Sequence, residues 1–73
     1  MITNDPRYHS GVKVKIKNDA GLLYRYAKEG LRDTPEVFDN IYTIKNYSYG
    51  YCSLQEKEVN DKDFHPDLLI IQK

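Results

Sequence analysis

Residues 41 to 55 read Ile-Tyr-Thr-Ile-Lys-Asn-Tyr-Ser-Tyr-Gly-Tyr-Cys-Ser-Leu-Gln, and how this stretch folds decides the architecture. β-Branched and aromatic residues dominate it, Gly50 stands near its middle, and it contains no proline. Such side chains fit a pleated, half-buried surface, and the glycine allows a tight reversal, so two strands joined by a short turn are expected. In the second strand Cys52 and Leu54 share one face, with Tyr51 and Ser53 opposite. In the first, Ile41 and Ile44 are out of phase for a flat strand. Either Tyr42 and Ile44 form the inner face, or a bulge resets the register.

Upstream, Val12-Lys13-Val14-Lys15-Ile16-Lys17 alternates strictly, the pattern of a half-buried strand with its three lysines toward water. Residues 1 to 11 are polar and broken by Pro6 and Gly11, so they read as a loose lead-in to one domain over residues 12 to 73, with order expected at most near Tyr8. Asn18-Asp19-Ala20-Gly21 supplies turn residues that end the strand. Leu22, Leu23, Tyr26 and Ala27 lie at helical spacing with Gly30 placed to follow a helix end, but the same segment also reads as extended. A helix of eight or nine residues is marginal, so residues 18 to 40 are expected to form a long irregular loop with at most single turns of helix. One such turn is expected at Thr34-Pro35-Glu36, a cap followed by proline at the first helical position, running through Val37 and Phe38.

Downstream, Glu56 to Asp63 is charged, with Val59 its only apolar residue, and reads as a hairpin end around a short strand. Phe64 to Leu68 is expected to be a 3₁₀ turn that leads into a last strand, Leu69-Ile70-Ile71. Seventy-three residues make one domain with a thin core. Eleven basic and eleven acidic side chains cancel, which lowers the expectation of non-specific nucleic-acid binding. The halves differ, however: residues 1 to 32 carry seven bases against three acids, and residues 33 to 73 carry four against eight. A single cysteine allows no internal disulfide. The opening residues lack the apolar run of a signal peptide and no stretch approaches membrane-spanning length, so a cytoplasmic protein with no membrane partner is expected. On that expectation the sequon Asn46-Tyr47-Ser48 has no chemical consequence.

The order of elements resembles a small five-stranded SH3-like barrel, mostly β, and more narrowly the stand-alone SH3-like proteins encoded by bacteriophages and prophages. The pieces that carry the resemblance are Val12 to Lys17, Ile41 to Ile44 and Phe64 to Ile71. In addition, Leu23-Tyr24-Arg25-Tyr26-Ala27 is similar to the Ala-Leu-Tyr-Asp-Tyr segment of signalling SH3 domains, and His65-Pro66-Asp67-Leu68-Leu69 to their closing turn. The chain departs from those domains in having no tryptophan and in placing leucine where their second groove tyrosine stands. The resemblance therefore implies the fold, and does not carry over proline-motif recognition.

No catalytic constellation emerges from the sequence. Cys52 with His9 or His65 is the one conceivable nucleophile and base, yet Cys52 is in phase with Leu54, where cysteine packs as a small hydrophobe. One cysteine and two distant histidines make no metal site, and Asp61, Asp63 and Asp67 lack the glycine and terminal glutamate of a calcium loop. The glycines stand singly at 11, 21, 30 and 50, so no phosphate cradle is expected, and no cofactor is implied. Tyrosines are the feature above background. Tyr47, Tyr49 and Tyr51 recur every second residue and would share the strand face opposite Cys52, or, if the turn takes in Tyr47 to Gly50, two of them would crown the hairpin tip; Tyr24 and Tyr26 could join the surface if extended. Tyrosine supplies large contact area at low rotameric cost, which suits a protein-binding face, a homodimer interface, or simple cross-strand pairing. The second candidate is the row Lys13, Lys15 and Lys17, which with nearby rings would bind nucleic acid, or otherwise only guard an exposed strand. The favoured expectation is a non-catalytic module that binds a protein partner, with nucleic-acid binding as the alternative.

Overall fold

A computed structural model describes residues 7 to 72. Five strands form one antiparallel sheet in the order β4-β3-β2-β1-β5: β1 Lys13–Ile16, β2 Tyr42–Ser48, β3 Tyr51–Leu54, β4 Asp63–Phe64 and β5 Leu69–Ile71. The sheet is not closed by a pairing between β4 and β5. Val14 and Ile16 on β1 are buried while Lys13 is exposed and Lys15 and Lys17 are half-buried, as the alternation of that segment requires.

Both readings of the 41 to 55 stretch hold together. Tyr42 and Ile44 lie inside, and a register shift between Ile44 and Asn46 makes Lys45 the extra residue of a bulge. Before the bulge Ile44 faces Leu54; after it Tyr47 faces Cys52. Residues directly opposite in an antiparallel pair point to the same face, so Tyr47 is on the inner side with Cys52. Tyr49 and Gly50 form the two-residue reversal, with φ of +55° and +82°, the positive pair that a type I′ turn needs.

The connection from 17 to 41 is more ordered than the sequence suggests. Asp19 is the cap of a helix rather than part of a turn: its side chain accepts from the Leu22 amide 3.0 Å away, and α1 runs Ala20–Arg25. Leu23 is fully buried and anchors this one-and-a-half-turn helix. The helix closes through paired bonds from Ala27 N–H to Tyr24 O and Lys28 N–H to Leu23 O, a Schellman arrangement. The left-handed position it needs is filled by Ala27 at φ +57°, not by Gly30, which lies in a 3₁₀ turn over Glu29–Asp33. A second 3₁₀ turn, Pro35–Phe38, starts on proline as expected, but the Thr34 side chain makes no cap bond to it; both the Thr34 hydroxyl and its N–H donate back to Leu31 O. Leu31, Val37 and Phe38 fasten these turns to the core.

Two further expectations need correction. Val59 is buried in a run of turns and belongs to no strand; the fourth strand is Asp63–Phe64, so Phe64 pairs with Cys52 instead of opening the 3₁₀ turn, which spans Pro66–Leu68. Of the lead-in, residues 7 to 11 are described, and Tyr8 packs on the core with its ring edge-on to Tyr47 at 5.9 Å. Gly11 N–H bonds Ile44 O, which ties that segment to β2.

Two stability outcomes follow. Leu54→Ala removes a fully buried side chain opposite Ile44 and should cost about 2–5 kcal/mol in urea unfolding. Ala27→Gly should raise stability by about 0.5–1 kcal/mol, because relief of the left-handed strain outweighs the added unfolded-chain entropy. An unchanged or lowered midpoint for the glycine variant would show that Ala27 is not held left-handed.

Candidate functional site

Three segments far apart in sequence bring aromatic rings together on one surface. The Schellman closure of α1 delivers Tyr26 at the helix end. The strand-to-turn passage after β4 delivers His65, and the tight reversal at Tyr49-Gly50 delivers Tyr51 at the start of β3. Tyr26 and His65 stack nearly parallel, with ring centres 4.4 Å apart and planes 10° apart. Tyr51 meets the His65 ring edge-on at 5.8 Å. The Arg25 guanidinium lies 5.8 Å from the Tyr26 centroid and extends the row by one cation. Aromatic contacts of this kind are worth about 0.5–1.5 kcal/mol each beyond the area they cover.

Polar bonds fix the ring positions. The Tyr26 hydroxyl donates to Asp67 Oδ2 at 2.8 Å, linking residues 41 apart in the chain. The Asp67 amide donates to His65 Nδ1 at 3.0 Å, so the imidazole caps the 3₁₀ turn that Pro66 opens. With Nδ1 accepting, the neutral ring carries its proton on Nε2. The Asp67 carboxylate is 3.6 Å from Nδ1. That arrangement differs from a His–Asp catalytic pair, in which the carboxylate accepts from a protonated Nδ1. The Asp67 bond, followed by partial burial and the charge of the carboxylate, holds the Tyr26 phenol above its ordinary pKa.

The five tyrosines singled out from the sequence do not share one face. Tyr26 and Tyr51 belong to the cluster. Tyr47 points inward against Tyr8, because the bulge at Lys45 and the two-residue reversal put it on the side opposite Tyr51. Tyr49 stands 77% exposed at the hairpin tip, and Tyr24 is 78% exposed on α1. Lys13 and Lys15 lie on the outer face of β1 and Lys17 directly follows the strand; Lys13 Nζ donates to Thr43 Oγ1. His65 and Asp67 were not expected in the site. The signal for them was the His-Pro-Asp run itself, which places a ring acceptor two residues before an amide and an acid beside it. Of the three clustered acids, Asp67 serves Tyr26 and Asp61 lies 3.3 Å from Lys62. Among the described residues no group of three or more His, Cys, Asp or Glu side chains converges, and no helix is long and apolar enough to cross a membrane. Cys52 is fully buried on the inner face.

No protein-family model, curated protein or solved structure matches this chain. The surface offers ring faces, hydroxyl and imidazole donors, one cation and one anion within a single patch, a set suited to binding.

Because the bonded, protonated phenol is favoured in the folded state, its stabilising effect is complete below the unfolded tyrosine pKa and is lost as pH rises through the higher folded value. Titration followed at the Tyr26 ring carbons by NMR should show it ionising at higher pH in the native protein than in the urea-unfolded chain. Asp67→Asn should bring it back toward the ordinary tyrosine range near 10. A Tyr26 midpoint that Asp67→Asn leaves unchanged would remove the Asp67 bond from the site.

Proposed function

We propose that this protein is a non-catalytic interaction module that binds a protein partner through the surface built on Tyr26, His65 and Tyr51, with Tyr24 and Tyr49 as exposed aromatic flanks. The observation that carries this reading is the cluster itself. Rings from α1, β3 and the β4–β5 connection are held in a fixed array while Tyr51 remains 45% exposed. A pre-arranged aromatic patch loses little rotameric freedom on docking, which is the usual character of a binding hot spot. The position of His65, accepting at Nδ1, supports a structural role for the imidazole over proton transfer.

The fold proposed with this function is an SH3-like barrel of the kind encoded by phages and prophages. Strand order, a β2 shared between β1 and β3 across a bulge, and a 3₁₀ turn running into β5 all favour it. Nucleic-acid binding through Lys13, Lys15 and Lys17 has less support. Basic and acidic side chains cancel over the chain, and the Tyr26–Tyr51 cluster contains none of the three lysines.

Affinity capture from the source cell, with and without nuclease, tests the assignment. The native chain should retain a protein partner after nuclease, and Tyr51→Ser combined with Tyr24→Ser should release it while the chain stays folded at the capture temperature. A partner lost on nuclease treatment, or a double variant that captures as well as the native chain, would overturn the proposal.

A further inference from the structure

The two edges of the sheet differ in a way that points to a second docking surface. At one edge β4 is two residues long, begins with the charged Asp63, and is followed closely by Pro66, all features that blunt strand addition. At the other edge β5 reads Leu69-Ile70-Ile71, with no charge and no proline within the strand, and Gln72 and Lys73 follow it in sequence. The lysines that guard a strand lie on β1, one strand in from this edge. Pairing with β1 extends beyond the three strand residues, since Lys17 N–H bonds Leu68 O and Gln72 N–H bonds Lys13 O. These bonds and the pairing of Lys15 with Ile70 turn the backbone of residues 68, 70 and 72 toward β1. The backbone groups of Leu69 and Ile71 consequently face the open edge. The Leu69 amide turns back to Pro66 O, which leaves the Leu69 carbonyl and both groups of Ile71 along the edge.

A groove of about 790 Å³ follows this edge, lined by all of Leu69 to Gln72 and by Val12, Tyr8 and Gly11. Its charged lining residues are Arg7, Lys13 and Lys17, with no acid among them. Ile70 is 48% exposed beside it. We propose that the β5 edge accepts an acidic, extended peptide segment of a partner protein as a sixth strand. The ladder groups of Leu69 and Ile71 bond its backbone, Ile70 packs its apolar side chains, and Lys13 and Lys17 meet its carboxylates. A second copy of this chain is a poorer occupant, because joining two β5 edges would bring the same cations toward one another. Nucleic acid has no backbone ladder to match the edge, and the groove's one aromatic ring, Tyr8, is buried. This surface shares no residue with the Tyr26–His65–Tyr51 patch, so either can fail without the other.

The test uses the full chain labelled with ¹⁵N and a blocked probe peptide of about eight alternating Glu and Val residues. Expected is slower exchange at the Ile71 amide on addition of the probe. Binding should weaken at least about fivefold on raising salt tenfold, and by a similar factor in Lys17→Glu. Tyr51→Ser should leave it unchanged. A Lys-Val probe and an alternately N-methylated Glu-Val probe should both fail to bind. The proposal is overturned if the Ile71 amide does not respond, if the N-methylated probe binds as well as its parent, if a thymidine octamer binds in the peptide's place, or if sedimentation shows β5 already covered by self-association.

Discussion

Strand β2 is paired along its first part with β1 and along the rest with β3, and the extra residue at Lys45 allows one strand to serve both. A bulge bends its strand and raises the local twist. Here it also changes which side chains face inward: Tyr42 and Ile44 before it, Tyr47 after it. The core depends on that switch. A flat β2 would turn Asn46 inward and Tyr47 outward, leaving Tyr8 with no ring to meet and the lead-in segment without its anchor.

The same switch disperses the tyrosines. Their every-second-residue spacing describes one continuous strand, and neither the bulge nor the two-residue turn preserves it. Tyr47 goes to the core, Tyr49 to the hairpin tip and Tyr51 to the outer face. Tyr51 then gains neighbours from elsewhere, His65 from the passage after β4 and, through it, Tyr26 from the end of α1. A hydrogen bond from Tyr26 to Asp67 and a ring-nitrogen cap at His65 keep those neighbours in place, so the patch is rigid although it lies at the surface.

Short-range rules accounted for the elements whose partners lie close in the chain. Alternation located β1, Gly50 located the reversal, and Pro35 marked the first residue of a 3₁₀ turn. They failed where a local preference met a tertiary demand. Asp19 looked like a turn residue and is a helix cap, because burying Leu23 pulls Ala20 to Arg25 into a helix too short to stand alone. Ala27 holds a conformation that glycine would adopt more easily, since the chain has to reverse there to set Tyr26 beside His65.

What the sequence by itself determined is a mostly β chain with an inward row of Val14 and Ile16, a short reversal containing Gly50, and an aliphatic last strand. Each of these depends on residues within a few positions of one another. Only the tertiary structure decided which tyrosines meet, that His65 and Asp67 organise them, and that β5 is left as the unguarded edge. Those outcomes rest on pairing between segments tens of residues apart, and a spacing pattern within one segment carries no information about what another will place against it.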